Sequence, residues 1–279
     1  MTTRHASHDD GGPPTKKLKE TPSKQASSST AGSSTTELDS NSNEAAKLST
    51  STHLVGFDDN VKRRVKFCEM FAGEDALTYS IDVMPSTMTW GPKEAYKNLS
   101  DTICAGPPGE KKPVTLWIVG QATNVYYMKS STEYADQANI RILPTILSSG
   151  KKVSDMMTKL SNPPSNADET GGGVLRVSVW QSKFINGAKA EPIPFSEVYD
   201  AREGYKDKSE MPVLSLGDIK QRDLILIECS MKRFSTERKR YQTWDKWRAF
   251  LNLKAVSLIA TAPELPRDIG GLSTPSVTF

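Results

Sequence analysis

Histidine is nearly missing from this chain: the three it has, His5, His8 and His53, lie in or beside a polar N-terminal stretch. A core without histidine has no ordinary imidazole base, so His-based catalysis is not expected there. Cysteine is equally sparse. Cys68, Cys104 and Cys229 are widely spaced and odd in number, which fits neither a disulfide framework nor a zinc knuckle and points to a reducing compartment. Cys229, set among apolar strand residues, is expected to be a small core residue. No apolar run approaches the roughly 18 residues of a membrane span, and the N-terminal segment carries no secretory h-region. A soluble, intracellular protein with no membrane contact is the expectation. Also missing are a Walker-type P-loop, GxSxG, HExxH and any CxxC pair. Gly171 to Gly173 precede a strand and not a helix, so they read as a hinge and not a phosphate cradle. Acids such as Asp82, Glu94 and Asp101 show no spacing that singles them out as metal ligands. No metal, cofactor or catalytic activity is expected; a metal-dependent nuclease is the residual alternative.

Excess charge is absent as well. The formal net charge is +3, too small for a global argument about a polyanionic partner. The local distribution is different. Between Met231 and Lys254 stand Lys232, Arg233, Arg238, Lys239, Arg240, Lys246, Arg248 and Lys254, opposed only by Glu237 and Asp245. Such a surplus in one segment is what an anion-binding surface needs; the plainer alternative is a loop kept solvated by its charge.

Along the chain, residues 1–53 are rich in Ser, Thr, Asn, Gly and Lys with almost no large apolar side chains, and are expected to stay disordered. Within them Lys16, Lys17 and Lys19 follow a proline pair, the form of a short nuclear localisation signal read by an import receptor. A nuclear protein is therefore expected. Residues 54–262 read as one β-rich domain of roughly 210 residues, long enough to bury a core. After a basic cluster, Val61 to Lys66, the alternation of Leu77, Tyr79, Ile81 and Val83 predicts a strand. Residues 93–104 and 194–205 suit short helical turns. Val114 to Lys129 is the strongest β segment by composition, with Gly120 marking a bulge or bend. A helix is predicted from about Ser154, with Val153, Met156, Met157 and Leu160 on one face. Val174 to Phe184 alternates as a strand, and two further strands, Asp223 to Met231 and Trp247 to Ala260, flank the basic loop. Residues 263–279, rich in Pro and Gly, read as an irregular tail. The fold class is mainly β, a β-rich α+β arrangement, with a small barrel or a sandwich as the architecture.

Alternation also assigns faces. Leu175, Val177 and Val179 share one side of their strand, and Arg176, Ser178, Trp180 and Phe184 the other. In the last strand Ala249, Leu251 and Leu253 point inward, against Arg248, Phe250, Asn252 and Lys254 outward. Val114, Leu116 and Ile118 oppose Thr115, Trp117, Gln121 and Tyr127, with the register across Gly120 left open. Three strands thus pair an aliphatic face with a face of cations and aromatics. Aromatic rings stack bases at roughly 1–3 kcal/mol each while cations follow the phosphates. Packing of those rings beneath a helix or loop is the alternative for any one of them.

The end of the chain, LSLGDIKQRDLILIECSMKRF followed by TWDKWRAFLNLKAVSLIA, resembles the single-stranded-DNA-binding proteins of the OB-fold family: a Gly-Asp turn, an apolar strand, a basic loop with aromatics and a final apolar strand. The likeness covers about 50 of the residues, and the KQR between Gly217-Asp218 and the strand departs from it. It implies an elaborated OB-like small β-barrel with one or two short helices. It also implies that Lys232, Arg233, Phe234, Arg238, Lys239, Arg240 and Tyr241 form a hairpin folding over a nucleic-acid strand. With Trp117, Tyr127, Arg176, Trp180, Phe184, Arg248, Phe250 and Lys254 they make up the expected groove for single-stranded nucleic acid. The competing expectation is a protein–protein interaction module of a nuclear, viral or mobile-element assembly, with the aromatics as anchors for a protein partner or a second copy.

Overall fold

The structure, a computed structural model, describes residues 54–94, 96–164, 173–185, 188–237 and 244–264. The architecture is mainly β. The described residues form thirteen strands: β1 (Ala72–Gly73), β2 (Thr78–Ser80), β3 (Thr89–Trp90), β4 (Ile103–Ala105), β5 (Lys112–Pro113), β6 (Thr115–Met128), β7 (Tyr134–Pro144), β8 (Leu175–Trp180), β9 (Phe184–Ile185), β10 (Ala188–Lys189), β11 (Val198–Asp200), β12 (Leu224–Ser235) and β13 (Trp247–Ala260). Among the same residues two α-helices accompany them, α1 (Asp59–Glu69) and α2 (Leu147–Leu160).

Five of the strands close on themselves. β6, β7 and β8 form an antiparallel meander, β12 and β13 an antiparallel hairpin, β12 pairs antiparallel with β6, and β13 pairs parallel with β8. The ring order β6-β7-β8-β13-β12 is that of a five-stranded Greek-key barrel of the OB type, and the expectation of an OB-like barrel holds. The β8–β13 seam is short, with only Leu251 opposite Val177 and Asn252 opposite Ser178. Further along, β13 pairs instead with β11. β1 and β2 extend the sheet beyond β6; β3-β4-β5 and β9-β10 stand as separate small sheets.

The interior follows from strict alternation. Ile118, Ile140, Ile142, Val177, Ile225, Ile227 and Leu251 are wholly shielded from solvent inside the ring. Gly120 is where β6 turns from its partner β12 toward the end of β7: a Cβ there would stand 2.2 Å from the Leu143 carbonyl oxygen. The extra residue in β6 comes later, at Thr123, between the Ala122–Ile142 and Asn124–Arg141 pairs. A bulge of this kind inverts the side-chain parity downstream.

Both helices cover parts of the barrel. α1 is capped by Asp58, whose carboxylate accepts from the Val61 amide at 2.8 Å, and its basic residues belong to a helix and not to a strand lead-in. Val61, Val65 and Cys68, one helical stripe, pack with Trp117, Val119, Leu224, Leu226 and Ile259 on the outer surface of the ring. The Arg64 guanidinium fastens the helix by donating to the carbonyls of Ala201 and Arg202, each at 2.8 Å. α2 begins at Leu147, a helical turn and more before the predicted start, but presents the predicted Val153, Met156, Met157 and Leu160 to the core. Its end is tied to β13: the Trp247 indole donates to the Leu160 carbonyl at 2.7 Å, and the Ala249 amide donates to Ser161 Oγ at 3.0 Å. Residues 93–94 and 96–102 form turns and bends leading into β4, and 198–200 form β11; neither segment is the short helix expected. In each, backbone groups pair with a distant segment: the Ile103 carbonyl accepts from Val114 N–H, and Ala201 N–H donates to the Leu258 carbonyl. All three cysteines are free and buried, and burial pushes the Cys229 thiol up to about 12.

Replacing Ile140, at the centre of the ring, by Ala is expected to lower unfolding free energy by about 2–5 kcal/mol in a urea titration. Trp180→Ala, on the outer face of the paired strand, should change it by no more than about 0.5 kcal/mol.

Candidate nucleic-acid interface

The outer surface of the ring divides in two. Where α1 lies across β6, β12 and the end of β13 it is covered. The second half of β6, with β7, β8, the start of β13 and the end of β12, carries an outward face whose cross-strand pairs can be read directly. Asn124 opposes Arg141, which opposes Arg176; Tyr126 opposes Asn139, which opposes Ser178, and Ser178 opposes Asn252; Gln137 opposes Trp180. On the hairpin, Lys232 opposes Phe250 and Phe234 opposes Arg248. Continuing the parallel register by two residues sets Phe250 at the position beside Arg176.

Exposed on this face are Trp180 at 63%, Phe234 at 48% and Tyr126 at 45% of their surface. Phe234 and Phe250 meet edge to face, with centroids 5.7 Å apart, a geometry that leaves one ring face open. Arg141, Arg176 and Arg248 are exposed, and among the described residues no carboxylate forms an ion pair with them. Arg141 and Arg176 stand directly opposite each other in an antiparallel pair, an arrangement of like charges that disfavours the sheet unless an anion lies between them. Among the described residues the Arg176 guanidinium makes one long polar contact, 3.4 Å to Gln137 Oε1. At the Trp180 end, Asp136 is neutralised in place: its carboxyl is held below the usual range by hydrogen bonds from Lys189 and then Ser182, with Lys129 adding its charge. Lys232 is partly exposed, with its ammonium 3.4 Å from Asp101.

Arg176, Trp180, Lys232, Phe234, Arg248 and Phe250 therefore share the outward face, as alternation predicted. Four other expected positions do not. Trp117 is only 6% exposed; its ring stacks on Phe71 at 4.2 Å and meets Tyr205 edge-on beneath α1, so it is a packing residue. Tyr127 turns to the barrel interior beside Gly217, because the bulge at Thr123 exchanges it with Tyr126. Lys254 sits at the β-bulge between the Cys229–Leu253 and Glu228–Ala255 pairs and donates to Thr115 Oγ1 at 2.9 Å. Burial there pushes its ammonium pKa down. Arg233 points the opposite way from Lys232 into a nest of indoles: its guanidinium carbon lies 4.7 Å from the Trp90 centroid, 4.1 Å from Trp244 and 4.7 Å from Trp247. Its Nε donates to the Ser100 carbonyl at 2.7 Å. Arg233 thus clamps the hairpin to the segment before β4. The side chain of Phe184 and all of Arg238, Lys239, Arg240 and Tyr241 lie outside the described residues, as do Lys16, Lys17 and Lys19.

No protein-family model matches this chain, and no curated protein sequence matches it. The solved structures that resemble this chain include two phage proteins. One is gp2.5, a single-stranded DNA-binding protein encoded by bacteriophage T7, at 13% identity and a TM-score of 0.33, covering 55% of this chain and 90% of that one. The other is a single-stranded DNA-binding protein from bacteriophage Enc34, at 11% identity and a TM-score of 0.28, covering 65% of this chain and 98% of that one. Values of this size set no residue correspondence, and the face is assigned from its own geometry.

Sequence reasoning passed over Gln137, Asn139, Arg141, Asn124 and Tyr126. The first three were open to it, since Ala138, Ile140 and Ile142 alternate with them over six residues. Tyr126 was hidden by the bulge, which has no residue signature in this chain.

If Arg233 is a clamp, Arg233→Met should lower unfolding free energy by about 2 kcal/mol, with a red shift or intensity change in tryptophan emission, because three indoles lose their cation. It should leave the salt dependence of any nucleic-acid binding unaltered, unlike substitution of Arg176.

Proposed function

We propose that this protein binds single-stranded nucleic acid, most simply DNA, across the outward face of β7, β8, β13 and β12, largely without sequence preference. The observation that carries this is the Arg141–Arg176 pair: two unpaired guanidinium groups held opposite each other, within a sheet that also presents Trp180, Tyr126, Phe234 and Phe250. Phosphates lie between the arginines and along Arg248, while bases stack on the exposed rings. The face is bordered by the β6–β7 loop, one of the two that OB barrels use for oligonucleotides. The fold family of the T7 and Enc34 proteins is compatible with this reading, which does not depend on it. Entry to the nucleus through Lys16, Lys17 and Lys19 belongs to the same proposal. A fluorescent protein fused to residues 1–53 should accumulate in nuclei and lose that distribution when the three lysines become Ala.

Fluorescence anisotropy with labelled oligo-dT tests the function. Affinity should fall steeply with salt, with a log–log slope of about −0.7 per phosphate neutralised. Arg141→Ala and Arg176→Ala should each make that slope shallower by roughly 0.7. Trp180→Ala should weaken binding by about 1–3 kcal/mol while leaving the slope unchanged. Absence of binding at low salt and micromolar protein would sink the proposal and leave the face as a protein-docking surface.

A further inference from the structure

A second feature of the barrel is unconnected with the outward face. Beside α2, at one end of the ring, lies a cavity of about 740 Å³. Its floor is the barrel interior itself, Ile103, Leu116 and Met231. Its walls are Met84 and Met88, from the connection between β2 and β3, and Met156 and Leu160 of α2. Among the described residues no aromatic ring lines it, and none there offers a nucleobase a stacking platform. Four thioethers make a soft, polarisable wall that adapts to a flexible apolar chain. The volume lies within the range of about 300–1,000 Å³ typical of small-molecule sites, and the mouth of a β-barrel is a common place for one.

The rim has the opposite character. α2 places Lys151, Lys152 and Lys159 at the opening, with Asp155 as the one acid among them. Lys152 donates to the Asp82 backbone carbonyl at 3.2 Å. Among the described residues no carboxylate forms an ion pair with any of these lysines. The cavity is also held open in advance: Ser149 hydrogen-bonds the Asp82 carboxylate, so the first turn of α2 anchors the start of the methionine-bearing connection.

An apolar chamber beneath a cationic rim is complementary to a molecule with a long apolar body and an anionic head. We propose that this cavity binds an alkyl-chain anion of the fatty-carboxylate type, its chain among Met84, Met88, Met156 and Met231 and its head group at Lys151 and Lys159. The chain gains by leaving water for the thioether wall, and the head stays at the surface, where the lysines attract it without being desolvated.

Dodecanoate is the probe, used below its micelle-forming concentration with the full chain carrying carbon-13 methionine methyls. The signals of Met84, Met88, Met156 and Met231 should shift saturably, while that of Met70, exposed at the end of α1, should not move. Dodecanol, with the same chain and no charge, should bind about tenfold more weakly by the same signals. The double variant Lys151→Gln, Lys159→Gln should bring dodecanoate down toward dodecanol and leave dodecanol unaffected, with thermal unfolding unchanged as the check on folding. Lack of saturable shifts, an equal shift at Met70, or equal affinity for the acid and the alcohol would each overturn the proposal. None of these outcomes depends on oligonucleotide binding, which is scored separately with oligo-dT.

Discussion

Everything about this barrel depends on a seam of two residue pairs, where β8 meets β13 in parallel. The meander β6-β7-β8 and the hairpin β12-β13 are each local, easily formed antiparallel units, and β6 joins them along one edge. Only the seam turns that open sheet into a ring. Val177 and Leu251 complete the interior there, and Ser178 and Asn252 align the outer surfaces. Without it the cations of β8 and the aromatics of the hairpin would sit on opposite edges of a flat sheet. With it they form one continuous face.

The covering of the ring is just as uneven as its closure, and that unevenness creates the site. α1 lies over one half of the outer surface and makes a second small core with Trp117 and Val119. Among the described residues no helix lies over Trp180, Arg176 and Arg141. The clamp formed by Arg233 and the indoles of Trp90, Trp244 and Trp247 then steadies the hairpin from the other side of the sheet. The exposed rings of the hairpin are thereby presented by a strand whose opposite face is held by cation–π contacts and a backbone hydrogen bond. The alkyl-anion cavity uses a different resource, the barrel mouth beside α2, so the two surfaces do not compete for residues.

Much of this was legible in the chain. Period-two patterning gave the inward and outward sets of β8 and of β13 up to Leu253, and the 3.6-residue period gave the stripe of α2, although not its start at Leu147. The strand expected to run on to Phe184 stops at Trp180, and a bulge takes Lys254 out of the outward set. Buried Cys229 and the basic character of the hairpin were equally readable. Less legible was α1, because its apolar stripe of Val61, Val65 and Cys68 is narrow and diluted by four basic residues. Two expected short helices became turns and a strand, since backbone pairing with distant segments outweighed weak local helical preference.

What the sequence by itself determined was the alternation of each strand, and with it which residues share a side. Alternation is a local property of the pleat and survives any packing. Tertiary structure alone decided what each side meets. Trp117 and Trp180 are both outward tryptophans on barrel strands, yet one is roofed by α1 and the other is open. Tyr126 replaced Tyr127 because a bulge at Thr123 shifted the parity, and bulges arise from the mismatch between paired strands, which one strand's residues do not encode. Arg233 and Arg176 are both basic strand residues; one faces three indoles brought from 90, 244 and 247, the other stands exposed opposite a second arginine. Long-range juxtaposition, not residue type, separates the clamp from the candidate site.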